Sequence, residues 1–474
     1  MADVYDDKDV KGSPILEKRD SGEQGVTILD SQPPVAQERT LRRDLNSRQI
    51  SMIAIGGAIG TGLIIGSGTA LARGGPLGML LAYSIMGGVW LSASRPATTT
   101  SLAKYLIVTP NNIVVSSIVL QYWTGAATVN IAVWLTMFLV AILVINCLGL
   151  EFWLSSIKVL TMIGLIIMSI VLTSGGNPSN TVIWFKFWSP PSGPFAAYKG
   201  TGSAAAFAGV WACFVNALFA YMGTELIGVT VGECANPRRA IPAAISKTFW
   251  RILVFYVGGV FCIGLLVASN DPGLFVANKA SASAAASPFV VAVKNFGIST
   301  LPGFLNGCIL CFTFSAANSD LYIASRTLFA LAEEGHAPKF FARVTRNGVP
   351  WTALLVTWAF CFLAFLRVSS DGARVFGWFV SLVSMFGGLV WMSIAICHIR
   401  FVNGMKAQGY DRVRQPPPSG VTEVMQSTLR YRAPFGVAGS YTALVVTFIV
   451  CLTKGWDAFV PNFQIDGSYA ARTA

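Results

Sequence analysis

Charge is what this chain has least of. Only 12% of its 474 residues are Asp, Glu, Lys or Arg, about half the share of a soluble domain. Histidine is scarcer still, with His336 and His398 alone, which argues against a histidine-built metal site. The nine cysteines lie mostly inside apolar runs, as at Cys147, Cys213, Cys262, Cys308, Cys311, Cys361, Cys397 and Cys451. They show neither metal-ligand nor disulfide spacing, so they read as small apolar side chains. No nucleophile–base set, phosphate-cradling loop or metal cluster is visible, so no catalytic residue is expected and the chain does not read as an enzyme. No ring of charged or carbonyl filter residues points to a channel. A cleavable leader is also not visible; residues 1–45 are polar and of mixed charge, and read as a disordered cytosolic tail.

What abounds is apolar length. The chain is 54% hydrophobic and its mean hydropathy is +0.60, which predicts an all-α polytopic membrane protein. Runs of bilayer-crossing length fall near 50–72, 76–93, 102–122, 126–148, 153–173, 204–230, 246–268, 300–330, 351–367, 374–398 and 434–453, about eleven spans. A short tail, 456–474, follows them. The net charge of +12 is not a nucleic-acid signal, because it gathers in the N-terminal tail and in alternate loops. Arg39, Arg42, Arg43 and Arg48 precede the first span. Arg238, Arg239, Lys247 and Arg251 lie around the sixth-to-seventh connection, Arg326, Lys339, Arg343 and Arg346 around and after the end of the eighth, and Arg400, Lys406, Arg412 and Arg414 after the tenth. The positive-inside rule then puts the N-terminus in the cytosol and the 174–203 loop outside.

Two spans are broken by glycine. The first, ISMIAIGGAIGTGLIIGSGTALA, carries Gly56, Gly57, Gly60, Gly62, Gly66 and Gly68. Each costs about 1 kcal/mol relative to alanine in a helix. The run predicts a helix interrupted near Gly60-Thr61-Gly62, with bare backbone groups facing a buried polar site. Plain close packing through small-xxx-small pairs is the competing explanation. The second run, FAYMGTELIGVTVGECANP, is interrupted by Gly223, Gly228 and Gly232 and holds Glu225. A carboxylate at that depth marks a functional site or caps freed backbone groups, and the two roles can coincide. The runs lie five spans apart, as expected of two inverted halves. Broken helices paired in this way set half-helix N-termini beside unwound carbonyls near the midplane. The N-termini suit a carboxylate and the carbonyls suit an ammonium, and a free α-amino acid carries both groups.

Three ordered stretches carry a family resemblance: GGAIGTGLIIGSG, GTELIGVTVGECANPRRAIPAAI and SAANSDLYIASRTLFALAEEGHAPKF. With PNNIVVSSIVLQYWT, they resemble the fungal amino-acid permeases of the amino acid–polyamine–organocation superfamily, from about residue 40 to 455. The resemblance implies a leucine-transporter-like fold within 46–455: a first repeat at about 48–173, an inverted second at about 204–398, and an extra helix at about 434–453. It implies import of an amino acid with protons across the plasma membrane by alternating access. The partners would be substrate, protons and lipid, with no cofactor, metal or nucleic acid. By the same resemblance, Ile59, Gly60, Thr61 and Gly62 bind the substrate carboxylate and Phe219, Ala220 and Tyr221 the ammonium, beside Gly223. Glu225 and Lys158 take the coupling and gating roles, with an interfacial snorkelling position as the other reading of Lys158. Asn318 is a weaker candidate, as a substrate contact or as hydrogen-bonding glue between helices. The pattern breaks at Trp90–Ser101, which has the look of a misjoined segment, and the family's twelfth helix is not seen. A sensor on the same scaffold, or an inactive truncated permease, are the alternatives to a working transporter.

Overall fold

Inside a bilayer only intrasegment hydrogen bonds are available to the backbone, so apolar runs of this length fold as helices. A computed structural model of the chain describes residues 61–92, 98–124, 129–148, 153–198, 201–223, 237–274, 287–346, 348–368, 372–407 and 435–456. Among them the helices are α1 (Thr61–Ile64), α2 (Gly66–Ser92), α3 (Thr98–Thr124), α4 (Ile131–Leu148), α5 (Trp153–Thr173), α6 (Gly202–Ala220), α7 (Pro237–Leu266), α8 (Pro288–Asn295), α9 (Leu301–Glu333), α10 (Trp351–Phe360), α11 (Gly372–Ala407) and α12 (Gly436–Leu452). No strand occurs among the described residues. The expected N-terminal tail, the start of the first span with Ile59 and Gly60, and Glu225 lie outside them.

Six described helices are long and apolar enough to cross a membrane: Ser101–Thr124, Ile131–Leu148, Gly202–Ala220, Leu301–Glu333, Trp351–Val368 and Gly377–Ala407. Three shorter apolar helices, Ile157–Thr173, Leu253–Leu266 and Gly436–Leu452, accompany them. Their outward faces are greasy. On α4, Val133, Met137, Val140 and Val144 are exposed at helical spacing, and on α5 Leu160 and Ile167 are 69% and 56% exposed. A water-soluble protein rarely leaves such stripes open, so lipid is the solvent of this surface.

The end of the first expected span and the second span follow one another within α2, which bends at a corner. Gly75 takes φ +72°, a conformation that suits glycine, and Pro76 restarts the helix. The loop after α5 docks on this corner. Leu77 donates its N–H to the Pro194 carbonyl at 3.1 Å, and the Trp188 indole donates to the Gly264 carbonyl of α7 at 3.1 Å. The N-terminal half of α2 lies against α6 almost backbone to backbone. A Cβ on Gly209 would meet the Arg73 carbonyl at 2.3 Å, and one on Gly74 would meet the Cys213 sulfur at 2.3 Å. Small residues therefore do bring helices together here, although at Gly74 and Gly209 rather than at the pairs singled out in the first glycine run.

Helix α9 runs through the interior. Its 33 residues span about 50 Å at 1.5 Å per residue, longer than the ~30 Å hydrocarbon layer. It is buried on most of its surface, polar side chains included. Those polar groups face α3 and α4. Ser116 donates to the Thr313 hydroxyl at 2.8 Å, Asn112 donates to the Asp320 carboxylate at 2.7 Å, and Asn146 donates to the Asn318 side-chain carbonyl at 2.9 Å.

Candidate functional site

The first glycine run was expected to open at Gly60-Thr61-Gly62. Ile59 and Gly60 lie outside the described residues; Thr61 and Gly62 are helical, within α1, and a turn at Ile65 separates α1 from α2. Glycine marks where a helix is weak, but the neighbour that must be approached decides where it stays wound.

That neighbour is the second fracture. Helix α6 stops at Ala220, ten residues short of the expected end of its span at 230, and residues 221–223 form a turn with Gly223 at φ +96°. A Cβ placed on Gly62 would lie 2.5 Å from the Ala220 Cα, 2.9 Å from the Ala220 nitrogen and 3.1 Å from the Phe219 carbonyl oxygen. Only glycine tolerates this approach, because real Cβ contacts do not fall below 3.0 Å. Gly66 follows on the same side, within 3.8 Å of the Phe219 ring by the same construction. The structure therefore brings Gly62, Phe219 and Ala220 together, with Thr61, Tyr221 and Gly223 adjoining them in sequence. Lys158 and Asn318 stand in the polar interior around α9.

A helix end leaves carbonyls without helical partners. At the end of α6, the Ala217 carbonyl accepts from the Tyr221 N–H at 3.0 Å, and the Phe219 carbonyl accepts from the Met222 N–H at 3.3 Å. The Ala220 carbonyl accepts from the Tyr256 hydroxyl of α7 at 2.8 Å. Tyr221 stacks on Tyr256 with ring centroids 4.6 Å apart, and Tyr83 of α2 leans on Tyr221 at 6.2 Å. A Cβ on Gly87 would come within 2.8 Å of the Tyr221 hydroxyl, so α2 is shaped to this ring. Three tyrosines, from α2, α7 and the turn after α6, thus wall the fracture. The Ser67 and Tyr83 hydroxyls beside it are buried and without a hydrogen-bond partner among the described residues. Such groups are costly in a membrane interior unless something polar reaches them.

A second polar region surrounds α9. Lys158 is wholly buried in α5, inside the bundle rather than at the snorkelling position. Asp320 is 3% exposed, and Lys158 and Asp320 interact electrostatically. Asn318, by its bond with Asn146, ties α4 to α9. Among the described residues no group of three or more His, Cys, Asp or Glu is placed to hold a metal ion. Sequence reasoning passed over Asp320, although a carboxylate inside a span was signal enough. It also passed over Tyr83, Tyr256 and Asn112, and no local pattern distinguishes those from packing residues.

Comparison with known proteins places this geometry. The amino acid permease family model matches residues 49–97 and 97–473. The two matched stretches meet at residue 97, inside the Trp90–Ser101 segment where the pattern breaks. The dicarboxylic amino acid permease of Saccharomyces cerevisiae is 44% identical over 456 residues, covering 89% of this chain and 72% of the relative. Among solved structures, MhsT in complex with L-phenylalanine superposes with a TM-score of 0.50 at 15% identity, covering 87% of this chain and 100% of that one. The manganese transporter of Eremococcus coleocola does so at 0.54 and 11%, covering 93% and 94%. The fold is leucine-transporter-like, all-α and built around discontinuous helices.

Proposed function

The chain belongs to the amino acid permease family, and from that premise we propose that it imports amino acids together with protons across the plasma membrane by alternating access. The observation that carries the proposal is the meeting of the two fractures, Gly62 against Ala220. Amino-acid transport is the family's activity, and the fold is that of transporters whose broken helices meet within the membrane. In this reading the substrate carboxylate binds the N–H groups freed around residues 59–66, with the Ser67 hydroxyl at hand. The ammonium binds the carbonyls of Phe219 and Ala220, where Tyr256 now occupies one acceptor. Tyr221, Tyr83 and Gly223 shape the wall. Lys158 and Glu225 bias inward-open against outward-open states through their protonation. The N-terminus is cytosolic, following the lysine and arginine count of the loops.

Acidic amino acids are the first substrates to test, because a relative 44% identical is named for dicarboxylic amino acids. The experiment is uptake of labelled aspartate, glutamate and a panel of neutral and basic amino acids into proteoliposomes, with and without an inward proton gradient. Gradient-dependent accumulation of any of them supports the reading, and its absence across the whole panel defeats it. Lys158→Met is expected to leave exchange of amino acid while abolishing gradient-driven accumulation; unchanged coupled uptake in that variant removes Lys158 from the coupling step. A second reading has one observation in its favour. The family match is broken at residue 97, at the foot of α3, so the chain could bind amino acids without carrying them. A substrate-dependent rise in melting temperature with no uptake would identify it.

A further inference from the structure

The loop after α5 carries aromatic side chains that the transport reading does not use. It folds straight back on the helix it leaves. The Ile183 N–H donates to the carbonyl of Thr173, the last residue of α5, at 3.0 Å. Buried Asn177 pins the reversal. Its side-chain amide donates to the Leu172 carbonyl at 3.0 Å and to the Thr181 carbonyl at 2.6 Å, and its side-chain carbonyl accepts from the Thr181 N–H at 3.1 Å. A single 3₁₀ turn follows, Trp184–Trp188, of sequence WFKFW. Its far end is fixed to α7, where the Trp188 indole bonds the Gly264 carbonyl and packs edge-on against Phe261 with ring centroids 5.7 Å apart. The Phe185 ring lies 5.6 Å from Trp188 and 6.1 Å from Phe261. The outer side of the turn is open: Val182, Trp184 and Phe185 are 64%, 41% and 52% exposed, and Lys186 is exposed beside them.

Rigidly held aromatic rings left open need a covering solvent or partner. The level of the turn says which. It is bonded to the last residue of α5 and to Gly264, just before α7 ends at Leu266, so it lies where two apolar helices run out. Exposed apolar side chains lead up to it on both: Ile163, Ile167 and Ile170 at helical spacing on α5, and Trp250 and Val254 on α7. Lipid is the solvent of those stripes, and the turn continues them at the depth where hydrocarbon gives way to headgroups. Tryptophan suits that boundary, having an apolar ring and one polar N–H. A lysine stem can follow apolar surface there while its ammonium reaches a phosphate. We propose that Trp184–Trp188 is a lipid-binding site at the membrane boundary: Val182, Trp184 and Phe185 contact the upper acyl chains of a glycerophospholipid, and Lys186 its phosphate. Because the turn is bonded to both α5 and α7, the bound lipid fixes the depth at which the two helices leave the membrane. The proposal needs the bilayer and not the transport reading, so either can fail without the other.

The test is fluorine NMR of the full chain, labelled with fluorotryptophan and reconstituted in nanodiscs of palmitoyl-oleoyl phosphatidylcholine. The Trp184 resonance is identified by its loss in Trp184→Phe, a change at an exposed ring that leaves the packed Trp188 in place. Two paramagnetic probes are compared: phosphatidylcholine with a nitroxide on its headgroup, and a water-soluble gadolinium chelate. The Trp184 signal is expected to lose most of its intensity to the lipid nitroxide and to keep most of it against the chelate. The reverse pattern, a ring open to water, overturns the proposal. Protection from both probes also overturns it, and a dimer by light scattering would then assign the patch to a second copy of the chain. In nanodiscs that include phosphatidylglycerol, Lys186→Glu is expected to weaken the quenching of Trp184 by the lipid nitroxide. Unchanged quenching in that variant overturns the phosphate contact.

Discussion

Replacing Gly62 by alanine adds one methyl group at a place where there is no room for it. The new Cβ would sit 2.5 Å from the Ala220 Cα and 2.9 Å from the Ala220 nitrogen, while ordinary contact begins at 3.4 Å. The obstacle is backbone, not a flexible side chain, so α1 and the end of α6 must part by about 0.9 Å, the shortfall between those two distances. Overpacking of this kind costs roughly 1–3 kcal/mol. Without the contact the sign would be opposite, since alanine is about 1 kcal/mol better than glycine within a helix. The direction of the change therefore decides the matter, not its size alone. A displacement of about 1 Å where substrate must be held can also cost about 100-fold in rate. The assay pairs thermal unfolding in detergent with initial uptake in proteoliposomes. Gly164→Ala in α5 is the control, because nothing lies within 4 Å of its added methyl. Gly62→Ala is expected to melt lower and transport far less, and Gly164→Ala to melt at or slightly above the parent. A Gly62→Ala protein as stable and active as the parent would show that the fractures do not touch, and the reasoning would fall.

Removing the Tyr256 hydroxyl by Tyr256→Phe leaves the Ala220 carbonyl buried without its donor, a cost of about 1–3 kcal/mol. It also frees that carbonyl, so the substrate KM is expected to change while the amount of protein in the membrane does not; an unchanged KM would detach Ala220 from the site. Asn146→Leu breaks the α4–α9 bond to Asn318 and is expected to cost about 0.6–1.7 kcal/mol of stability with uptake kept within a few-fold. A collapse of uptake at full stability would make Asn318 a substrate contact instead. Gly209→Ala must push a methyl against the Arg73 carbonyl at 2.3 Å, and is expected to lower the melting temperature more than Gly164→Ala does. Equal melting temperatures would refute the close packing of α2 on α6.

The helical class and the broken spans were legible because both are written locally. Apolar length gives the helices, and glycine content shows where they are weak. The turn at Ile65 was not legible. Six glycines crowd one run, and the tight approach of one of them, Gly62, is to Ala220, some 160 residues away in the chain. Gly75 and Pro76 form a corner whose chemistry the sequence displays plainly, yet the expected spans ended at 72 and restarted at 76 without it. The short helix α8, with Pro288 at its start, went unread because eight residues do not make a span. The polar interior was only half visible. Lys158 and Asn318 stood out as polar groups in apolar runs, whereas Asn112 and Asn146 gain their meaning from partners on α9. Tyr256 was indistinguishable from a lipid-facing aromatic until its hydroxyl was found on the Ala220 carbonyl.

Electron cryo-microscopy of the reconstituted protein with a saturating transported amino acid looks at the meeting of the fractures directly. The expected density lies between residues 59–66 and 219–223, with the carboxylate toward freed N–H groups and the ammonium toward the Phe219 and Ala220 carbonyls. Substrate density elsewhere in the bundle, with α6 continuing as an unbroken helix past Ala220, would contradict the account.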